Sequence, residues 1–195
     1  MKNKKIYMVG IGGIGMSALA QLFAAQGVAV SGSDREESPV TRVLVQKGVS
    51  VVVGQAAANV PKDASLVIYS DAVPQDNPER ARARELGIPE QSYFQALGEA
   101  AKTKRTIAVA GTHGKTTTTA MLGRMLIDAR LDPTVVVGSI VTEWGSNFRQ
   151  GKSDLFVVEA CEYRSHFLAF KPEVLVITNV EFAHTDFFKS LAEVQ

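Results

Sequence analysis

Short apolar runs alternate along the chain with stretches in which apolar residues recur every three or four positions. The short runs predict buried strands of a parallel sheet, and the longer spacing predicts helices packed on its faces. On this reading Lys5 to Val9 is a strand, Ile14 to Gln26 a helix, Ala29 to Gly32 a strand, Pro39 to Lys47 a helix, Ser50 to Val53 extended, Leu66 to Tyr69 a strand and Asn77 to Leu86 a helix. Arg80, Arg82, Arg84 and Glu85 are expected to form a solvated face of that last helix. A helix from about Tyr93 to Ala101 leads into the polar run Lys102 to Arg105, which is expected to separate a first domain, residues 1–103, from a second, 104–195. The period then restarts with strands at Thr106 to Ala110, Thr134 to Val137, Leu155 to Val158 and Val174 to Thr178, and a helix at Lys115 to Ala129. Glu143 to Ser153, polar and containing glycine, is expected to be a loop or hairpin. Repeated strand–helix–strand units define an α/β class with mostly parallel sheets.

Composition narrows the picture. The 195 residues are 46% hydrophobic and 21% charged, which is the balance of a globular chain rather than a disordered one. A formal charge of +1 gives no general attraction to polyanions, so no nucleic-acid partner is expected. Lys2 to Lys5 precede an apolar stretch, but glycines between Gly10 and Gly15 argue against the helical core of a signal peptide. No run approaches the about 20 apolar residues that span a bilayer, so no membrane partner is expected. The single cysteine, Cys161, fits a reducing compartment, and the cytoplasm is the expected location. Next to the candidate site it is read as a small half-buried residue rather than a nucleophile, having no evident base.

Two glycine loops carry the chemistry. Gly10, Gly12 and Gly15 form G-x-G-x-x-G between a predicted strand and helix. Glycines there let backbone approach a diphosphate, whose charge sits where helix N-H groups point outward. Asp34 follows the second strand, placed to accept from a ribose or a base. This half of the chain is expected to be a Rossmann-like domain, with Gly10, Gly12 and Gly15 against the phosphates and Asp34 on the ribose or base. Taken alone, the pattern reads as a site for NAD.

The second loop, Gly111, Thr112, His113, Gly114, Lys115, Thr116 and Thr117, lies between another strand and helix. It is a compact variant of the P-loop, because the strict spacing would put the first glycine at Val109. Its amides are expected to cradle the phosphates of ATP, with the Lys115 ammonium reaching the β and γ phosphates and the Thr116 hydroxyl on magnesium. The hydroxyl run Thr116 to Thr119 supports this, since β-branched residues are otherwise poor choices for a helix start. A simple nicotinamide enzyme has no need of a second phosphate loop.

Glu159 ends one predicted strand, and Asn179, Glu181 and His184 follow another. Parallel strands present ligands at their C-terminal ends, so these side chains are expected on the edge carrying the second loop, with Glu159 and His184 as candidate metal ligands.

Gly10 to Ser17, Ser31 to Asp34, Asn77-Pro78-Glu79, Ala108 to Thr119, Glu159 to Glu162 and Thr178 to Glu181, in that order over nearly the whole chain, resemble the Mur ligase family of peptidoglycan synthesis, in particular its alanine-adding branch. The resemblance implies a UDP-sugar-binding Rossmann-like domain followed by the first part of a P-loop ATPase domain. It implies UDP-N-acetylmuramate on the first domain, its diphosphate against Gly12 to Gly15 and its uridine near Asp34. It also implies ATP on the second domain, phosphorylation of the sugar's lactyl carboxylate, and attack on the acyl phosphate by the amine of L-alanine. By the same analogy Lys115 stabilises the transferring charge, Thr116 and Glu159 hold Mg2+, and His184 holds a second. Gln55, Asp71, Cys161 and Ala183 depart from the family's usual residues, as do Tyr163 and Arg164. The central and third domains that complete such ligases imply that these 195 residues bind nucleotide sugar without completing ligation. The murein tripeptide recycling ligase, an NAD-dependent oxidoreductase and a non-catalytic nucleotide-binding regulator stand as alternatives. The sequence does not fix the oligomeric state; a homodimer is compatible with it.

Overall fold

Ile6 to Val9 are apolar and buried, which places β1 (Lys5–Val9) at the centre of a sheet covered on both faces. The computed structural model describes residues 4–161, 167–182, 187–190 and 193. Two compact units, Met1–Ala96 and Leu97–Gln195, each have a sheet.

In the first unit the chain continues through α1 (Ile14–Ala25), β2 (Ala29–Asp34), α2 (Pro39–Gln46), β3 (Ser50–Val53), β4 (Leu66–Tyr69), α3 (Pro78–Glu85) and β5 (Glu90–Ser92), and enters α4 (Tyr93–Ala101). The strand order is β3-β2-β1-β4-β5, every pair parallel. Succession runs outward from β1 through β2 to β3 and then jumps back to β4. That reversal opens a crevice beyond the C-terminal ends of β1 and β4. Two helices start where the sequence supplies a cap: Ser38 and Thr41 form a reciprocal capping box on α2, and the Asn77 side chain accepts from the Glu79 and Arg80 amides at α3.

The second unit contains β6 (Arg105–Ala110), α5 (Lys115–Asp128), β7 (Thr134–Val141), β8 (Ser146–Arg149), β9 (Leu155–Glu159) and β10 (Val174–Ile177), in the order β10-β6-β9-β7-β8. All neighbours are parallel except β7 and β8, which form an antiparallel hairpin. The polar Glu143 to Ser153 stretch thus contains a strand. Val135, Val137 and Val157 form a core on which Leu122, Leu126 and Trp144 pack.

One expectation is overturned. Arg80 does not join a solvated face: it is 9% exposed, bonds Glu90 at 2.9 Å and the Val73 carbonyl at 3.1 Å, and lies 3.5 Å over the Tyr69 ring. A planar guanidinium can be buried when its donors are paired and its face stacks on an aromatic ring. Its partner Glu90 lies in β5, a three-residue strand whose polar sequence carries no apolar signal. Among the described residues no helix is long and apolar enough to cross a membrane.

Candidate functional site

The crevice of the first unit is a cleft of about 520 Å³ lined by residues including Gly10, Gly12, Gly13, Asp34, Gln55 and Ser70. That volume suits a nucleotide-sized ligand. β1 delivers Gly10 to its floor with φ near +77°, and the Gly10 and Ile11 amides both donate to the Ser33 carbonyl at 2.9 Å. Ser33 therefore shapes the loop through its backbone, while its fully buried hydroxyl turns away to donate to Glu79 at 2.5 Å.

Asp34, the last residue of β2, folds back onto the loop. One carboxylate oxygen accepts from the Gly12 amide at 2.7 Å and the other from the Arg35 amide at 2.8 Å. Gly13 and Ile14 are exposed at the start of α1, and Gly15 is half-buried. A β-carbon on Gly15 would lie 2.6 Å from the Tyr93 ring, so the third glycine of the motif admits an aromatic side chain against the helix. Gln55, in the wall, accepts from the Asn77 amide group at 2.9 Å.

Sequence reasoning named Glu79 within the Asn77-Pro78-Glu79 motif but gave it no role in the group beneath this cleft. Glu79 is 0% exposed, and its carboxylate accepts from the Tyr7 hydroxyl (2.9 Å), the Ser33 hydroxyl (2.5 Å), the Asn59 amide group (2.8 Å) and the Ala56 backbone amide (3.3 Å). A buried carboxylate is tolerated when its lone pairs are satisfied in this way. Burial, together with the adjacent Glu79 charge, pushes the Tyr7 phenol well above its ordinary value. The available signal was positional: Glu79 lies in the first turn of α3, one helical turn before the fully buried Ala83.

In the second unit β6 ends at Ala110 and α5 begins at Lys115, with Gly111 to Gly114 between them. Gly111 adopts φ +125° and Gly114, at the N-cap of α5, φ +79°. The Lys115 ammonium bends over the loop, donating to the carbonyls of Gly111 (2.5 Å) and Thr112 (3.1 Å). The segment after β10 clamps the other side. The Asn179 side chain accepts from the His113 amide at 3.0 Å and donates to the His113 carbonyl at 3.0 Å, while the Asn179 carbonyl accepts from the Thr112 amide at 3.1 Å. Thr178 donates to the His113 carbonyl at 2.6 Å, and the Thr112 hydroxyl exchanges bonds with the Glu181 backbone.

The Thr112 and His113 amides are thus engaged within the protein. A phosphate cradle here would use the following amides at the helix start, where an α-helix supplies no internal acceptor. Thr119 is buried and its hydroxyl bonds back to the Lys115 carbonyl at 2.8 Å, so that hydroxyl serves the helix.

Glu159, at the end of β9, brings one oxygen 3.1 Å from the Thr116 hydroxyl and the other 2.8 Å from the Gly138 amide. Two hard oxygens about 3 Å apart suit adjacent positions on a magnesium ion. His184 lies outside the described residues, as do Ala183, Tyr163 and Arg164. Among the described residues no group of three or more His, Cys, Asp or Glu is gathered. Cys161, beyond β9, is half-buried.

Comparison with known proteins gives a consistent result. The family model described as Mur ligase family, catalytic domain, matches residues 5–105, and that described as Mur ligase middle domain matches 109–195. A UDP-N-acetylmuramate–L-alanine ligase of Desulfitobacterium hafniense is 51% identical over 97% of this chain, and one of Clostridium kluyveri 45% identical over 100%. The chain spans 42% and 43% of the length of these relatives. Among solved structures, the UDP-N-acetylmuramate–alanine ligase of Thermotoga maritima superimposes with a TM-score of 0.88 at 39% identity, covering 97% of this chain and 45% of that one. The UDP-N-acetylmuramate:L-alanyl-γ-D-glutamyl-meso-diaminopimelate ligase of Neisseria meningitides gives 0.90 at 32% identity, covering 98% and 65%.

Proposed function

The chain belongs to the Mur ligase family, and from that premise we propose that it forms the nucleotide-sugar site and the phosphate loop of an ATP-dependent ligase joining L-alanine to UDP-N-acetylmuramate through an acyl phosphate. The observation carrying this reading is the grouping, at the C-terminal edge of the second sheet, of the Lys115 ammonium over Gly111–Gly114 with the Thr116 hydroxyl beside Glu159. One cation and two hard oxygen donors at a helix start are what a triphosphate and its magnesium require. Identities of 45 and 51% to alanine-adding relatives, against 32% to the tripeptide-adding one, support L-alanine as the acceptor.

The division of labour proposed is residues 1–103 for UDP-N-acetylmuramate, through Gly12, Gly13, Ile14, Gly15, Ser33 and Asp34, and 104–195 for Mg-ATP, through Gly111 to Thr117. Ser33 contributes through its backbone carbonyl, which sets the glycine loop. Asp34 holds the Gly12 amide, so the diphosphate is assigned to the later amides at the start of α1. Lys115 steadies charge on the phosphoryl group passing to the lactyl carboxylate, and Thr116 and Glu159 hold magnesium, which when bound neutralises phosphate charge. His184 is assigned to a second magnesium, apart from the one at Thr116 and Glu159. Catalysis by these residues is positioning and charge stabilisation rather than covalent chemistry.

Ligand-dependent melting tests the reading, because a ligand that prefers the native state stabilises it by about 2.7 kcal/mol at a hundredfold excess over its Kd. UDP-N-acetylmuramate and Mg-ATP are each expected to raise the melting temperature, and Lys115→Ala to abolish the Mg-ATP shift. Stabilisation by NADH alone, or an undiminished ATP response in Lys115→Ala, would overturn it.

A further inference from the structure

We infer that Glu79 is a positioning residue for the nucleotide-sugar cleft, an inference that rests on the reading of that cleft given above. Glu79 is fully buried and does not line the cleft, yet its carboxylate gathers partners from three segments that build it. Through the Ser33 hydroxyl it fixes the end of β2, whose Ser33 carbonyl takes the Gly10 and Ile11 amides and whose next residue, Asp34, takes the Gly12 amide. Through the Ala56 amide and the Asn59 side chain it fixes the turn carrying Gln55, and Asn59 also reaches the Gly54 carbonyl at 3.0 Å. Asn77, two residues away on the same helix start, bonds Gln55 directly. The Tyr7 hydroxyl closes the set from β1, on the side facing the core.

The chemistry requires an acid. Three donors converge on one oxygen and the Ser33 hydroxyl on the other, and a carboxylate accepts from all four while bringing no donor of its own. A glutamine can keep its carbonyl oxygen where Tyr7, Asn59 and Ala56 converge, but then turns its NH2 toward Ser33, whose hydroxyl must accept instead of donate. The present 2.5 Å bond would lengthen by a few tenths of an ångström, shifting the end of β2 and with it the amides of the glycine loop. Displacements of this size at an anion site are costly, because donors act only over a few tenths of an ångström around their optimum distance.

The test is isothermal titration of the chain with UDP-N-acetylmuramate, well below the melting temperature, where the stoichiometry counts folded molecules and Kd reports the site. Glu79→Gln is expected to keep the wild-type stoichiometry while raising Kd at least tenfold. Ser33→Ala, which removes the tether to the glycine loop, is expected to raise Kd at least threefold and to add nothing further in the Glu79→Gln background. Tyr7→Phe, which removes one donor to Glu79 but leaves the Ser33 hydroxyl on its carboxylate, is expected to raise Kd less than Ser33→Ala does. Loss of stoichiometry at unchanged Kd in Glu79→Gln would mean a merely structural role and overturn the inference. Equal weakening by Tyr7→Phe and Ser33→Ala would overturn it too. If Glu79→Gln does not fold, the Ser33→Ala and Tyr7→Phe pair decides by the same criterion. Wild type that gives no binding isotherm would overturn the reading of the cleft itself, and the inference with it.

Discussion

At the residue scale the second glycine loop contains two glycines with opposite surroundings, and the contrast makes a prediction. Gly111 has φ +125°, and a β-carbon there would sit 2.2 Å from the Thr178 hydroxyl and 2.9 Å from the Asn179 carbonyl. Both atoms belong to the clamp, the Thr178 hydroxyl donating to the His113 carbonyl and the Asn179 carbonyl accepting from the Thr112 amide. Gly114 also has positive φ, +79°, but a β-carbon there meets nothing within 4 Å. Gly111→Ala therefore adds a clash to backbone strain of about 1–3 kcal/mol, whereas Gly114→Ala has only the cost of the left-handed conformation, about 1–2 kcal/mol. Gly111→Ala is expected to lower the melting temperature more and to lose the Mg-ATP response, both read in one thermal-shift series. Equal destabilisation by the two substitutions would contradict this account of the loop.

Elements were legible in the sequence where burial follows apolar character and obscure where polar groups are buried in pairs. β1, β3, β4 and α4 fall where the apolar pattern predicts them. β2 runs on through Ser33 and Asp34 because those polar residues find partners in Glu79 and the Gly12 amide, which no local pattern discloses. β5, Arg80 and Glu79 were hidden for the same reason: each is stabilised by a partner ten or more residues away. In the candidate sites, the places of both glycine loops could be read from residue type at short spacing, and that of Glu159 from the rule that parallel strands gather ligands at their C-terminal ends. The Asn179 clamp could be placed near the loop by the parallel-sheet rule but not given its role.

The β7–β8 hairpin supplies an element-scale prediction. Arg149, at the end of β8, donates to the Asp132 carboxylate at 2.6 Å and to the Pro133 carbonyl at 2.7 Å, while the Lys152 amide donates to the other Asp132 oxygen at 3.0 Å. The Arg149 hydrogen bond, then that of Lys152, holds the Asp132 carboxyl below its ordinary value of 3.8. A carboxyl lowered by folding stabilises the native state above its unfolded value and loses that contribution as pH falls through the folded one. Asp132→Asn keeps a residue that tolerates the positive φ of 43° while removing the charge. The variant is expected to melt below wild type by a constant margin above about pH 5, with the margin shrinking as the pH drops through the wild-type carboxyl's titration. A margin that stayed constant down to about pH 3 would mean that the ion pair contributes nothing to the hairpin.

At the scale of the whole molecule, each compact unit has its own sheet, parallel throughout in the first and parallel but for one hairpin in the second, and its own glycine loop at a strand end. In the first unit the loop is backed by buried Glu79, and in the second by the segment from Thr178 to Glu181. The supports share no residue, so the proposed ligands should leave separate marks on the chain. Hydrogen exchange read peptide by peptide distinguishes them, since amides that gain a ligand bond or lose local opening exchange more slowly. UDP-N-acetylmuramate is expected to slow exchange across Gly10 to Ser17 and Gly54 to Asn59. Mg-ATP is expected to slow it across Gly111 to Thr119 and Thr178 to Glu181, the clamp included because its bonds fix the loop that the phosphates would order. Protection of the first set by Mg-ATP, with the second unchanged, would assign the triphosphate to the wrong loop. Protection of Gly111 to Thr119 alone, with Thr178 to Glu181 still exchanging freely, would leave the phosphate site in place but show that the clamp does not tighten with it.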